Sequence, residues 1–90
     1  MTIRATFTTE RVLKNTTILA NENFSSLLVR NYGSGNVTLL DNITIEPGET
    51  FKIENRPSGN TIILIADDIP ISFDSNPDRN LLVMKTFYTK

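Results

Sequence analysis

The chain contains no cysteine, no histidine and no tryptophan. Without cysteine there is no disulfide framework, thiolate nucleophile, zinc knuckle or iron–sulfur cluster. Without histidine, the commonest general base and the usual zinc and copper ligand are both missing. An excess of either charge is also lacking. Nine Lys and Arg stand against ten Asp and Glu, a formal net charge of −1, and no basic run gathers them. Such a chain carries no electrostatic footprint for nucleic acid or an anionic membrane. No stretch approaches the ~20 apolar residues that span a bilayer. The opening Met-Thr-Ile-Arg-Ala-Thr-Phe has no basic region followed by an apolar run, so it reads as no secretion signal. The expectation is a product made in the cytoplasm. Asn-x-Ser/Thr sequons begin at Asn15, Asn23, Asn36 and Asn42. They follow from the abundance of Asn and Thr, and without a secretory signal they carry no expectation of glycosylation.

What the chain does hold is Thr (twelve), Asn (ten) and Ile (ten), over a third of its 90 residues. Hydrophobic residues make up 39%, which suits one small domain over residues 1–90. A chain of this size buries somewhat over ~60% of its unfolded surface and is marginal alone. Small β proteins without disulfides or metals gain stability by oligomerising, so a homo-oligomer is an expectation here.

No 3.6-residue periodicity is sustained. Short apolar stretches recur instead between Gly, Pro, Asn and Asp, the pattern of an all-β domain. Strands are expected near 2–8, 16–20, 25–32, 37–40, 43–46, 50–54, 61–66, 69–73 and 81–88. Residues 10–14 are left as a connection, a bulge or one helical turn. Asn31-Tyr-Gly-Ser-Gly-Asn36 signals a turn in which two glycines accept positive φ. Asp41-Asn42 reads as a tight turn. Glu46-Pro47-Gly48-Glu49 reads as type II, with Pro setting φ at the first central position and Gly accepting positive φ at the second. Pro70 marks 69–73 as an edge strand. Two runs are apolar without alternation, Thr61–Ala66 and Leu81–Tyr88, and both read as strands buried on two faces. Their excess apolar surface fits either the centre of a well-covered core or a subunit interface. The resulting fold class is all-β, a single small β-sandwich or jelly-roll-like barrel of about seven to nine short, mainly antiparallel strands.

Few constellations carry chemistry. Asp67, Asp68, Asp74, Ser75, Asn76 and Asp78 offer oxygens, but the Asp-x-Asp-x-Asp-Gly spacing of a calcium loop is absent and solvated turns are preferred. Nothing sets two carboxylates across a cleft for general acid–base work, and no Ser-x-x-Lys spacing occurs. Neither Gly33-Ser34-Gly35 nor Pro47-Gly48 opens a helix to cradle phosphate. No enzyme, metal or cofactor is expected. Tyr32, Phe73, Phe87 and Tyr88 have the chemistry of a sugar-stacking platform, although core packing is the preferred reading.

One stretch carries a resemblance. Leu28 to Phe51 reads Leu-Val-Arg-Asn-Tyr-Gly-Ser-Gly-Asn-Val-Thr-Leu-Leu-Asp-Asn-Ile-Thr-Ile-Glu-Pro-Gly-Glu-Thr-Phe. It resembles small β-domains of tailed-bacteriophage virion accessory proteins, of the capsid decoration (auxiliary) and head-fibre type. It covers roughly a quarter of the chain and consists mostly of turn chemistry, with no catalytic or binding residue to carry over. The Asn, Thr and Ile richness is likewise similar to virion proteins of phages with AT-rich genomes. The resemblance implies a structural protein of the virion, one that sits on or links capsid or other virion proteins and stabilises the shell by subunit contacts. A carbohydrate-binding or adhesive β-sandwich module is the alternative, with Tyr32 and the loops 31–36 and 74–80 as its site. Partner contacts are expected in two places. Residues 1–10 would form an N-terminal strand or arm, through Thr2, Ile3, Ala5 and Phe7, that adds to a neighbour's sheet edge. Phe87 and Tyr88 would anchor at the C-terminus.

Overall fold

The computed structural model describes residues 2–90. Alternation of apolar and polar residues sets the strands, and the turns between them fall at Gly, Pro, Asn and Asp. Eight strands form: β1 (Arg4–Val12), β2 (Thr16–Ile18), β3 (Ser26–Asn31), β4 (Val37–Leu39), β5 (Ile43–Ile45), β6 (Thr50–Ile53), β7 (Ile69–Phe73) and β8 (Leu81–Thr89). A single 3-10 turn, Ala20–Glu22, sits between β2 and β3. The strands make two four-stranded antiparallel sheets, β1-β8-β3-β6 and β2-β7-β4-β5, packed as a small β-sandwich.

Every second residue points into the space between the sheets. Leu27 and Val29 on β3, Val37 and Leu39 on β4, Ile69 and Ile71 on β7, and Leu81 and Val83 on β8 are all at most 2% exposed, and Phe24 is fully buried with them. Each such side chain contributes roughly 1.5–3 kcal/mol of transfer free energy, an upper figure because unfolded chains already hide some surface. The Leu28 and Met84 side chains pair on the opposite, outer face of the first sheet, half-buried.

The turns follow local chemistry with two changes. Gly48 has φ 84° and the Glu49 N–H donates to the Glu46 carbonyl at 3.0 Å, closing the expected type II turn. The preceding tight turn, between β4 and β5, lies one residue earlier than Asp41-Asn42. Leu40 (φ 53°) and Asp41 (φ 63°) are the left-handed residues, and the Asn42 N–H donates to the Leu39 carbonyl at 3.2 Å. Leu40 accepts this unfavourable backbone because its side chain packs on the core. Gly33 and Gly35 do not use positive φ. They are required by close approach: a Cβ on Gly33 would run into the Asp78 carbonyl, and one on Gly35 into the Asp74 carboxylate.

Three strand assignments change as well. β1 runs on through Glu10 to Val12, so the expected connection at 10–14 begins only at Leu13. β7 is an inner strand between β2 and β4, not an edge. Pro70 is tolerated there because its carbonyl accepts from Leu40 N–H (3.1 Å) just beyond the last β4 pair, where the ladder ends and one missing donor costs little. Thr61–Ala66 is not a doubly buried strand. Beyond the Ser58–Thr61 bridge it is an extended crossover, tied by the Ile65 N–H to the Phe24 carbonyl at 3.0 Å. Ile63 and Leu64 remain 45% and 46% exposed. The run carries the chain from β6, at the edge of one sheet, to β7 inside the other, and a segment passing between sheets has no neighbouring strand to pair with.

Candidate functional site: the outer edge of β1

Arg-Ala-Thr-Phe-Thr-Thr-Glu-Arg-Val is rich in β-branched and aromatic residues and free of Gly and Pro, so it holds an extended backbone. Its nine residues pair with β8 without a bulge, from Arg4 opposite Thr89 to Val12 opposite Leu81. Only Val12 is buried; the other eight are exposed. β1 is the last strand of its sheet, so its outer N–H and C=O groups face no other strand. The other sheet edges, β2, β5 and β6, are three or four residues long, and β6 carries Lys52. Proteins commonly blunt an edge with lysine, proline, a bulge or brevity. Along Ala5–Thr9 the β1 edge has none of these.

The expected contact residues converge on this element. Thr2 and Ile3 lie just before β1, exposed and half-buried respectively. Ala5 faces Tyr88, and Thr6 faces Phe87 across the ladder, so the N-terminal segment and the C-terminal aromatics are two strands of one ribbon. β3 pairs with β8 only from Leu81 to Thr86, which leaves β1 as the sole ladder partner of Phe87, Tyr88 and Thr89. Residues 4–10 are thus a docked strand with one free edge. Phe7 points outward and is 62% exposed. Phe87 packs partly on the core, and with Tyr88 it borders a shallow cleft shared with Ile62 and Leu64.

Sequence reading missed the charged cluster on the inward face of this ribbon. Lys85 lies among core residues, with its side chain only 8% exposed. Its Nζ donates to Glu22 at 2.8 and 3.0 Å, pairs with Glu10 at 3.3 Å, and stands 5.9 Å from the centre of the Phe24 ring. Burial alone would lower the lysine pKa, but the hydrogen bonds to Glu22 and Glu10 outweigh it, and the ammonium is held above its usual value. Glu22 and Glu10 remain about half in solvent. One ammonium between two carboxylates leaves the cluster with one surplus negative charge. A cleft of ≈340 Å³ opens beside it, between β1 and β2. The strand alternation did contain this signal, since Leu81, Val83, Lys85 and Phe87 fall on one face. The partners did not, because Glu10 and Glu22 lie far away in sequence.

The loops considered for sugar or calcium are occupied with each other. Tyr32 N–H donates to Asn80 O (2.8 Å), Ser34 N–H to Asp78 O (3.1 Å), and Asp74 N–H to Asn36 O (3.1 Å). The Asp78 carboxylate accepts from Ser34 Oγ. The Asp74 carboxylate accepts the N–H groups of Asn36 (2.7 Å) and Asn76 (2.9 Å), which hold its pKa below the usual carboxylate range, with Arg79 adding to the effect. Beneath them the buried Asn31 amide donates to the Gly35 and Ile45 carbonyls and accepts from Gly33 N–H. Tyr32 is 50% exposed, but the Arg11 and Arg30 guanidiniums lie over its ring at 4.7 and 5.3 Å. The polar groups of these loops are thus largely engaged in holding the loops together. Comparison of the chain with protein-family models, with curated proteins and with solved structures finds no match.

Proposed function

We propose that this chain is a structural protein acting by surface contact, an accessory (capsid decoration or auxiliary) protein of a bacteriophage particle. The observation that carries the contact-making part is the nine-residue β1 edge, exposed over eight residues and unprotected through its middle. A free edge of this length is a template for another strand. The virion part rests on the resemblance of residues 28–51, a stretch that holds β4 and β5 with parts of β3 and β6 and so contributes to both sheets. A protein that binds only the assembled shell stabilises it by mass action. The test is direct. Particles produced by the genome that encodes this chain are purified by density banding and their proteins identified by mass spectrometry. The chain is expected in the banded particles in a fixed ratio to the major shell protein. Its absence from them, with the chain present in the lysate, overturns the reading.

A further inference from the structure

The β1 edge also shows which strand fits it. We propose that two copies of this chain join through their β1 strands, antiparallel about a two-fold axis at Phe7, fusing two four-stranded sheets into one continuous sheet. The proposal rests on the contact-making reading above and names its first partner, a second copy.

A two-fold axis normal to the sheet keeps inward residues beside inward residues. Paired residue numbers must therefore have an even sum, which leaves few registers over the length of β1. The register centred on Thr8 sets Arg4 against Val12 and Thr6 against Glu10, and joins no opposite charges. The register centred on Phe7 sets Arg4 against Glu10 twice, Thr6 against Thr8 twice, and Phe7 against its own copy. Opposite charges and paired aromatics are the favourable cross-strand neighbours.

Three observations support this register. Arg4 makes no ion pair among the described residues, while the Lys85–Glu22–Glu10 cluster has one carboxylate more than it has cations. Arg4 and Glu10 share the inward face with Lys85, so a mate's guanidinium would meet the Glu10 carboxylate, which has only a share of the Lys85 ammonium, at the rim of a cleft that Arg11 and Lys14 also line. Phe7, 62% exposed and uncharged, lies at the centre of the patch, where interfaces place their aromatic anchors. β2, the neighbouring edge of the other sheet, is only three residues long and stays paired to β7.

The absence of native cysteine makes the register readable. Opposed Cα atoms in an antiparallel pair are about 4.5–5.5 Å apart, within disulfide reach. Under mild oxidation Phe7→Cys is expected to form a disulfide-linked dimer, and Thr8→Cys, which faces Thr6 of the mate, to form far less. Light scattering on the wild-type chain is expected to show a dimer at high concentration. Arg4→Glu brings glutamate against glutamate at both ends and is expected to weaken the dimer about tenfold or more. Circular dichroism should be unchanged, because Arg4 is exposed and unpaired. A wild-type chain that stays monomeric up to millimolar concentration overturns the proposal. So does Thr8→Cys linking as well as Phe7→Cys, or Arg4→Glu dimerising like the wild type. None of these results bears on the presence of the chain in particles, which the banding experiment decides.

Discussion

At the scale of single residues, Lys85 concentrates the physics of this molecule. The lysine is buried and its partners are not, so the pair is energetically lopsided. Removing a partner strands an ammonium in a low-dielectric site, whereas removing the lysine returns two carboxylates to water. Lys85→Met is therefore expected to change stability by no more than about 1 kcal/mol at neutral pH, since a methionine fills the same space without desolvating a charge. Glu22→Ala is expected to cost more, about 1–2 kcal/mol, with only Glu10 left near the ammonium. The pH dependence has a definite sign. The folded state raises the lysine pKa, so its stabilising contribution is complete below the unfolded value of about 10.4 and is lost as pH climbs through the raised folded value. Urea midpoints measured from neutral to strongly alkaline pH should fall more steeply for the wild type than for Lys85→Met. Parallel curves would show that the cluster contributes nothing through protonation.

At the scale of elements, the glycines separate two kinds of demand. Gly48 has open space around it, and its only requirement is a φ of 84°. Gly48→Ala is expected to cost about 1 kcal/mol, the conformational penalty of a left-handed L-residue, with no change in packing. Gly33→Ala must displace the backbone carbonyl of Asp78, and with it the hydrogen bonds that join the two loops. It is expected to lose two or more times as much, and denaturant unfolding of the two variants side by side measures the difference. The same two glycines show how far the sequence could be read. Glu46-Pro47-Gly48-Glu49 carries its turn in its own residues, so it was legible. Gly33 depends on a loop 45 residues away (position 78 against 33), and nothing local distinguishes close approach from positive φ. The alternation in β3, β4 and β5 was legible for the same local reason. β1 beyond Thr8 was not, because charged and threonine residues on an exposed edge carry no inward–outward contrast until β8 supplies the register.

At the scale of the whole molecule, the first and last strands pair with each other, and the chain between them supplies all of the second sheet and the β3-β6 half of the first. The body is elongated, 48 × 19 × 16 Å, and its core is one cluster between the sheets. That core is filled by seven of the eight strands together with Phe24, which leaves the most apolar run of the chain, Thr61–Ala66, outside any ladder. Hydrophobicity alone did not reveal this, because a run without alternation reads the same whether it lies inside a sheet or crosses over its end. Ile63 and Leu64 stand about half in water with free backbone beside them. A short segment of high β-propensity, with no charge and no proline, is an aggregation hazard when it is exposed. Replacing Ile63 by Thr and Leu64 by Lys together is expected to shift the unfolding free energy by less than about 1 kcal/mol, the range of surface changes. It is also expected to delay turbidity on heating and to leave β1 pairing unaffected. Denaturant unfolding and heated light scattering on the same two proteins read both effects. A large loss of stability would place these side chains in the core instead, and unchanged turbidity would move the hazard to the other free template, the β1 edge.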